Sequence, residues 1–309
     1  MMAKVSLDLL GVARKFLKSM VYTRPLNRVI RGALWPFRRL LPDRLLYRVP
    51  LVGELPVVIP GSPKFRLSIR GFDLVAMPLY WRGARGYEEA AVSTYLNVLG
   101  ACGTVMDVGA YVGLYAILAG LHDRDRRVYA FEPMPDIADV LTDNVRLNRL
   151  SNVEVVRSAV AERDGEADLY IPYAGLPCSS SLRRGFREAR NTISVPTVSL
   201  DTFVRSREIE RVDLIKIDTE TTEPEVLDGA SWVVTRDEPL IICEVLLQPA
   251  ADRLNAFFDG RDYAHFLITK DGALPRNAIV ADPAGENRDY LFVPRSKLPR
   301  HPSVFRHGR

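Results

Sequence analysis

The sequence predicts an α/β protein built on a doubly wound, mostly parallel sheet. Three observations predict it. From about residue 104, short apolar runs alternate with helical stretches, the pattern of repeated βαβ units. The first run leads into Asp107-Val-Gly109-Ala-Tyr-Val-Gly113, a glycine-containing turn between strand and helix. The composition of the 309 residues, 47% hydrophobic and 26% charged, is ordinary globular usage and excludes wholesale disorder, collagen and coiled coil.

The N-terminal stretch differs from the rest. Residues 5–21 space Val5, Leu9, Val12, Phe16, Leu17 and Met20 as a helix would, and residues 26–41 do the same with Leu26, Val29, Ile30, Ala33, Leu34, Phe37, Leu40 and Leu41. Pro25 marks the joint and Pro36 should end or kink the second helix. Residues 1–50 hold eleven Lys/Arg against Asp8 and Asp43, a net +9. The remaining 31 cations and 36 acids leave −5. A basic helical arm, residues 1–48, on a mildly acidic body argues for a local anionic partner and against a nucleic-acid-binding body. A basic face beside an aliphatic and aromatic one suits a membrane interface; equally, it suits packing on the body or on another subunit.

After Pro50, Leu55–Ile59 and Phe65–Ile69 read as a hairpin, and residues 49–86 as hairpin and linker. The main α/β body should occupy 87–295. It starts with a helix over 87–99, strand Thr104–Val108 and a helix from Gly113 to about Leu121. Strand Arg127–Phe131, a helix over 135–149 and strand Val153–Val160 come next. Residues 161–200 look irregular. Then come Val212–Asp218, a helix from Glu223 to about Val233, strand Leu240–Val245, a helix over 249–259, and strands His265–Thr269 and Tyr290–Val293. Residues 296–309 read as a loosely ordered tail.

Ligands of such sheets lie beyond the carboxyl ends of the strands. After the first strand, Gly109 permits a sharp turn and close backbone approach, and Gly113 permits tight packing where the helix leaves. The helix start offers N–H groups to an anion such as an amino-acid carboxylate, and Asp107 can accept from loop N–H groups or face an ammonium. Glu132, 19 residues beyond Gly113 and followed by Pro133, stands where these folds hold a ribose diol. The full Gly-x-Gly-x-x-Gly fingerprint is missing, which disfavours a pyrophosphate and with it NAD or FAD. A nucleoside joined to an amino acid fits better: S-adenosylmethionine. Ser158 could bond its adenine and Ala159 leave room for the ring, or these are plain turn residues. Beyond the fourth strand, Asp218-Thr-Glu220-Thr-Thr-Glu223-Pro-Glu225 concentrates acids. Thr222 and Glu225 read as a capping box, with Glu223 favouring the helix dipole. Asp218 and Glu220 are left for chemistry, with Glu244 able to join them. Together these three could hold a Mg²⁺-like cation, but the spacing is not metal-specific and none is expected.

The residues taken together resemble the FkbM family of S-adenosylmethionine-dependent methyltransferases over about 85–245. The resemblance rests on Gly86-Tyr87-Glu88, Val105-Met-Asp-Val-Gly-Ala-Tyr-Val-Gly113, Ala130-Phe-Glu-Pro133 and Leu141-x-x-Asn-Val-x-x-Asn148. It continues through Val198-Ser-Leu-Asp201, Val212-Asp-Leu-Ile-Lys-Ile-Asp218, Glu223-Pro-Glu-Val-Leu-Asp-Gly-Ala230 and Ile241-Ile-Cys-Glu244. It implies a Rossmann-like, class I methyltransferase sheet with an antiparallel terminal strand, and O-methylation, often of a sugar or polyketide hydroxyl. The cofactor side would then comprise Asp107, Gly109, Ala110, Tyr111, Gly113, Glu132, Pro133, Ser158, Ala159 and Asp218. Two departures stand out. Tyr111 replaces the family's Asn, and Thr221 replaces a Gly. A β-branched residue at 221 disfavours positive φ and adds bulk beside the reacting methyl.

Candidate bases for a hydroxyl acceptor are Asp218, Glu220, Glu244 and His265; a lone strand histidine is more often a packed core residue. The 172–192 segment, with Ser179, Ser180, Ser181, Arg183, Arg184, Arg187 and Arg190, reads as a lid for an anionic or glycosidic acceptor, or as a solvated loop. The expected acceptor is a small molecule, glycan or lipid-linked sugar, with S-adenosylhomocysteine as the co-product. Rival readings are an inactive scaffold of the same fold and an NAD-dependent oxidoreductase. Cys102, Cys178 and Cys243 lie too far apart for a disulfide framework or a CxxC metal site. No apolar stretch approaches the ~20 residues of a membrane span, and Arg14, Lys15 and Lys18 interrupt any signal sequence. The expected location is the cytoplasm, with the arm touching the inner membrane face.

Overall fold

The computed structural model describes residues 22–71, 73–172 and 180–300. The helix expected over 5–21, the end of the tail, Cys178 and Ser179 lie outside them. The described chain forms two compact units: residues up to Ile59 with Lys64–Tyr87, and Pro60–Pro63 with Glu88 onward.

In the first unit, helix α1 (Arg24–Leu34) gives way to a 3₁₀ turn at Trp35–Phe37, where Pro36 cannot extend the α-helical ladder. A short α2 (Asp43–Leu46) follows. Strands β1 (Leu51–Val57) and β2 (Phe65–Gly71) pair antiparallel, with Leu55 opposite Leu67 and Val57 opposite Phe65. The hairpin is the expected one, though β1 starts four residues before the expected Leu55. Helix α3 (Ala76–Arg82) ends in Arg82, which bonds Arg38 O, Leu41 O and Asp43 Oδ1. It thereby fastens the turn after α1.

The second unit is an eight-stranded sheet in the order β12-β11-β13-β10-β9-β3-β4-β5. Its parallel half comprises β3 (Thr104–Val108), β4 (Arg127–Phe131), β5 (Val153–Val156), β9 (Leu214–Ile217) and β10 (Leu240–Glu244). These strands are apolar runs because helices cover both faces; β9 and β10 are buried throughout. Strand β13 (Asp289–Pro294) runs antiparallel to β10, the terminal reversal that the family resemblance implies. Beyond it lie β11 (Tyr263–Thr269) and β12 (Gly272–Arg276). The cysteines Cys102 and Cys243 are free thiols buried in this unit.

Three expectations need correction. The single strand Val153–Val160 breaks at Arg157-Ser158, and its second half is β6 (Ala159–Val160) in a different sheet. The supposedly irregular 161–200 stretch supplies β7 (Gly165–Ile171) and β8 (Asn191–Val198), an antiparallel pair completing a three-stranded sheet with β6. Their long separation in sequence hid the pairing. The helix from Glu223 to Val233 is two helices, Glu223–Asp228 and Ser231–Asp237. The break falls at Gly229, where a Cβ would stand 2.2 Å from Ala161 O, and Asp201 caps the second piece by accepting from Trp232 N and Val233 N at 3.0 Å each.

Candidate active site

The carboxyl ends of β3, β4 and β9 frame a cleft. Its walls include Gly109, Tyr111, Glu132, Pro133, Ser158, Ala159, Asp218, Thr219 and Glu220. Gly109 N and Ala110 N donate to Phe131 O at 3.1 and 2.9 Å, turning the loop back toward β4. At Gly109, φ is +82° and a Cβ would sit 1.8 Å from Asp218 O. The loops after β3 and β9 thus touch backbone to backbone, which only glycine permits. Gly113, at φ +92°, caps the following helix Leu114–His122, and a Cβ there would collide with Leu141 at 2.3 Å.

Glu132 is held from two sides. Tyr111 N donates to Oε2 at 3.0 Å and Met134 N to Oε1 at 2.9 Å. This fixes the carboxylate in the cleft wall and leaves each oxygen a further lone pair for an incoming hydroxyl. Burial pushes its pKa up to about 7, against the pull of those two N–H groups. Ala110 and Gly113 shape the turn behind the wall and do not line the cleft. Asp107 is also behind it: fully buried, raised to about 7 by burial, with Oδ2 unpartnered among the described residues.

The loop after β9 departs from expectation. The reading of Glu225 as the cap is wrong: Thr222 makes no side-chain cap bond, and Glu225 pairs with Arg253 and, at 3.6 Å, with Arg183. Glu223 does the holding instead. Its Oε1 accepts from Thr219 N (3.2 Å), Thr219 Oγ1 (3.2 Å) and Thr221 N (2.9 Å), and burial raises it to about 7. Clamped in this way, Glu220 and Thr221 adopt φ of +55° and +85°. The threonine therefore keeps the left-handed path that a glycine would take freely, and it does so fully buried, with Oγ1 unpartnered among the described residues. Tyr111, in the place of the family's Asn, is also left-handed at φ +49°. Ser181 Oγ donates to Glu220 O at 2.6 Å, bringing Ser180 and Leu182 onto the cleft wall. Arg183 of the supposed lid is engaged with Glu225, not turned toward a ligand.

Lys216 went unnoticed among the apolar residues of β9. It is 0% exposed, and its Nζ lies 3.6 Å from Asp218 Oδ2 and 3.5 Å from Asp289 Oδ1. Burial alone would lower its pKa, but Asp218, Asp289, Glu88 and Glu244 outweigh that and hold it well above its ordinary value. Asp289, Glu88 and Glu244 line a second, larger cavity with Lys270, Arg276 and Arg288. Glu88 accepts from Tyr115 Oη at 2.7 Å and stands at φ +40° at the start of helix Glu89–Val98, a strained backbone of the kind found at working sites. The ammonium of Lys216 therefore links an acid of the first cavity to an acid of the second. Only the Gly86-Tyr87-Glu88 block hinted at Glu88; Lys216 and Asp289 had no local signal.

Two candidate bases change standing. Glu244 borders the second cavity. Burial, then Asp218 and Asp289, push its carboxyl well above the usual range, and Arg288 stands 3.8 Å from its Oε1. His265 packs against the Phe258 and Phe292 rings, each 5.4 Å away, and lines neither cavity; burial lowers its pKa. Among the described residues no group of three or more His, Cys, Asp or Glu is placed to hold a metal ion.

Five parallel strands followed by an antiparallel one, with a cleft at their carboxyl ends and a buried carboxylate after the second, define a Rossmann-like protein of the class I methyltransferase type. Residues 107–266 match the family described as the methyltransferase FkbM domain, and the chain belongs to that family. It is similar to methyltransferase sdnD of Sordaria araneosa, 28% identical over 166 residues that cover 43% of this chain and 63% of that protein. It is likewise similar to the hexuronic acid methyltransferase AglP of Haloferax volcanii, 27% identical over 160 residues, 51% of this chain and 63% of that protein. The chain thus spans less than two thirds of either relative. Among solved structures, FkbM from Methylobacillus flagellatus KT aligns with TM-score 0.41 and 18% identity, over 62% of this chain and 43% of that one. An O-methyltransferase from Bacillus cereus in complex with SAH aligns with TM-score 0.41 and 13% identity, over 67% and 80%.

Proposed function

We propose that the chain binds S-adenosylmethionine in the first cavity and methylates a hydroxyl of a sugar, glycolipid or polyketide-type acceptor. The observation that carries this is Glu132: a carboxylate pinned by two backbone N–H groups in a cleft wall, with acceptor lone pairs to spare. The residues present fit the group. Gly109 lets the loops after β3 and β9 meet at the cleft, Ser158 and Ala159 line it, and so do Asp218 and Glu220. When bound, the sulfonium supplies an electrophilic methyl.

The remaining work falls to the chain. A hydroxyl brought beside Asp218 can pass its proton to that carboxylate, worth roughly 10²–10⁴-fold, while Lys216 steadies the carboxylate from behind. The second cavity, with the carboxyl groups of Glu88, Glu244 and Asp289 beside the cations Arg276 and Arg288, suits a polyhydroxylated acceptor. The relative named for hexuronic acid supports a sugar-type acceptor. Thr221 is fully buried and does not line the cleft, which supports turnover over the inactive-scaffold reading.

Calorimetric titration with S-adenosylmethionine, S-adenosylhomocysteine and NAD tests the cofactor. Micromolar binding of the first two, lost in Glu132→Ala, is expected; binding of NAD alone would overturn it. Release of S-adenosylhomocysteine on adding hydroxylated glycans then tests transfer.

A further inference from the structure

We infer that the outward surface of residues 28–45, in the first unit, docks on an anionic lipid bilayer. The argument starts from an inversion in α1. Its two buried residues are polar: Asn27, 0% exposed, donates to Pro50 O at 2.5 Å and accepts from Val52 N at 3.2 Å, and Arg31, 7% exposed, reaches Val52 O. Leu26, Ile30 and Leu34 are only half-buried, and several apolar residues of α1 and of the segment after it are left outside. Val29 is 68% exposed, Phe37 56% and Leu40 84%, with Trp35 and Leu45 also exposed. Packing within the unit does not account for Val29, Phe37, Leu40 and Leu45, while Trp35 also rests on the Tyr80 ring, 5.0 Å between centroids; large apolar groups left exposed close together in sequence mark a contact with something else.

The charge beside them selects the partner. Arg24, Arg28, Arg39, Arg44 and Arg48 are exposed along the same stretch. The stretch's one acid, Asp43, is taken up by Arg82 at 2.6 Å. Arg38 lies over the Trp35 ring, 4.0 Å from its centroid, an aromatic–cation pair of the sort that sits at headgroup depth. Apolar side chains to enter the acyl boundary and unopposed guanidinium groups for phosphates are together what an anionic interface requires. A protein partner would match the apolar groups but would have to bring its own acids. No helix among the described residues is long and apolar enough to cross a membrane, so the contact would be peripheral.

Vesicle co-sedimentation of the full chain tests this, using phosphatidylglycerol–phosphatidylcholine mixtures against phosphatidylcholine alone. The wild type should pellet with the anionic vesicles only and lose binding at high salt. Phe37→Ser/Leu40→Ser and Arg28→Glu/Arg39→Glu should each weaken binding by roughly tenfold or more. All four positions are exposed, so an unchanged thermal melt shows that the fold survives. Undiminished pelleting of either variant, or equal pelleting with the neutral vesicles, would overturn the inference. So would a self-associated wild type that Phe37→Ser/Leu40→Ser dissociates without any vesicle binding, since a second copy would then be the occupant.

Discussion

Thr221 shows how much one residue can be made to bear. A β-branched side chain at φ +85°, with a buried hydroxyl lacking a partner among the described residues, costs on the order of 1–3 kcal/mol. The three bonds to Glu223 Oε1 hold it there. Thr221→Gly should therefore stabilise the protein by about 1 kcal/mol, raising the melting temperature by a few degrees; a lower melting temperature would show that the side chain's packing outweighs its strain. Glu132 carries a pH dependence of definite sign. Its carboxyl titrates near 7 rather than 4.5 because of burial. The ligand-free protein is therefore relatively favoured as pH falls from about 7 toward 4.5. Cofactor affinity moves the opposite way, since a diol needs the anion. Binding of S-adenosylmethionine should weaken by up to about tenfold per unit below pH 7. In Glu132→Gln it should be weaker throughout and flat with pH, which calorimetry at several pH values would read.

At the scale of elements, the site is an agreement between loops. Gly109 belongs to the loop after β3, yet what forbids a side chain there is the carbonyl of Asp218 after β9. Gly109→Ala should cost several kcal/mol and abolish cofactor binding together, visible as loss of the cooperative melt. Lys216 performs the same joining with charge. Removing one partner of a buried ion pair costs about 3–5 kcal/mol, so Lys216→Met should be strongly destabilised. Its carboxylates, left without the cation, titrate higher in the folded state, so the variant should recover stability as pH falls; urea titrations at pH 8 and 5 would show the gap to wild type narrowing. The turn glycines and Glu132 were legible in the sequence because each stands at a fixed place after an apolar strand, although what presses on Gly109 comes from the loop after β9. Glu223, Lys216, Asp289 and Glu88 were not, because what they touch comes from other strands. The capping box failed for the same reason: Glu225 was drawn off by Arg253, far along the chain.

For the molecule as a whole, strand alternation made the parallel half of the sheet readable, β3 and β4 to the residue, because buried parallel strands are continuous apolar runs. The β6-β8-β7 sheet escaped because its strands are half exposed and carry no clear period. A cofactor that binds only the folded body should raise its melting temperature in proportion to the logarithm of concentration, about 2.7 kcal/mol at a hundredfold excess over Kd; no shift with S-adenosylmethionine would count against the proposed site. The buried cysteines offer a clock for the same event. Burial pushes Cys102 up to about 12 and Cys243 well above its usual value, so neither supplies thiolate while the sheet is closed. Their alkylation can proceed only through opening of the strands around them. The rate at which mass is added at these two positions would then time how often the sheet parts, and show whether an occupied cleft keeps it shut.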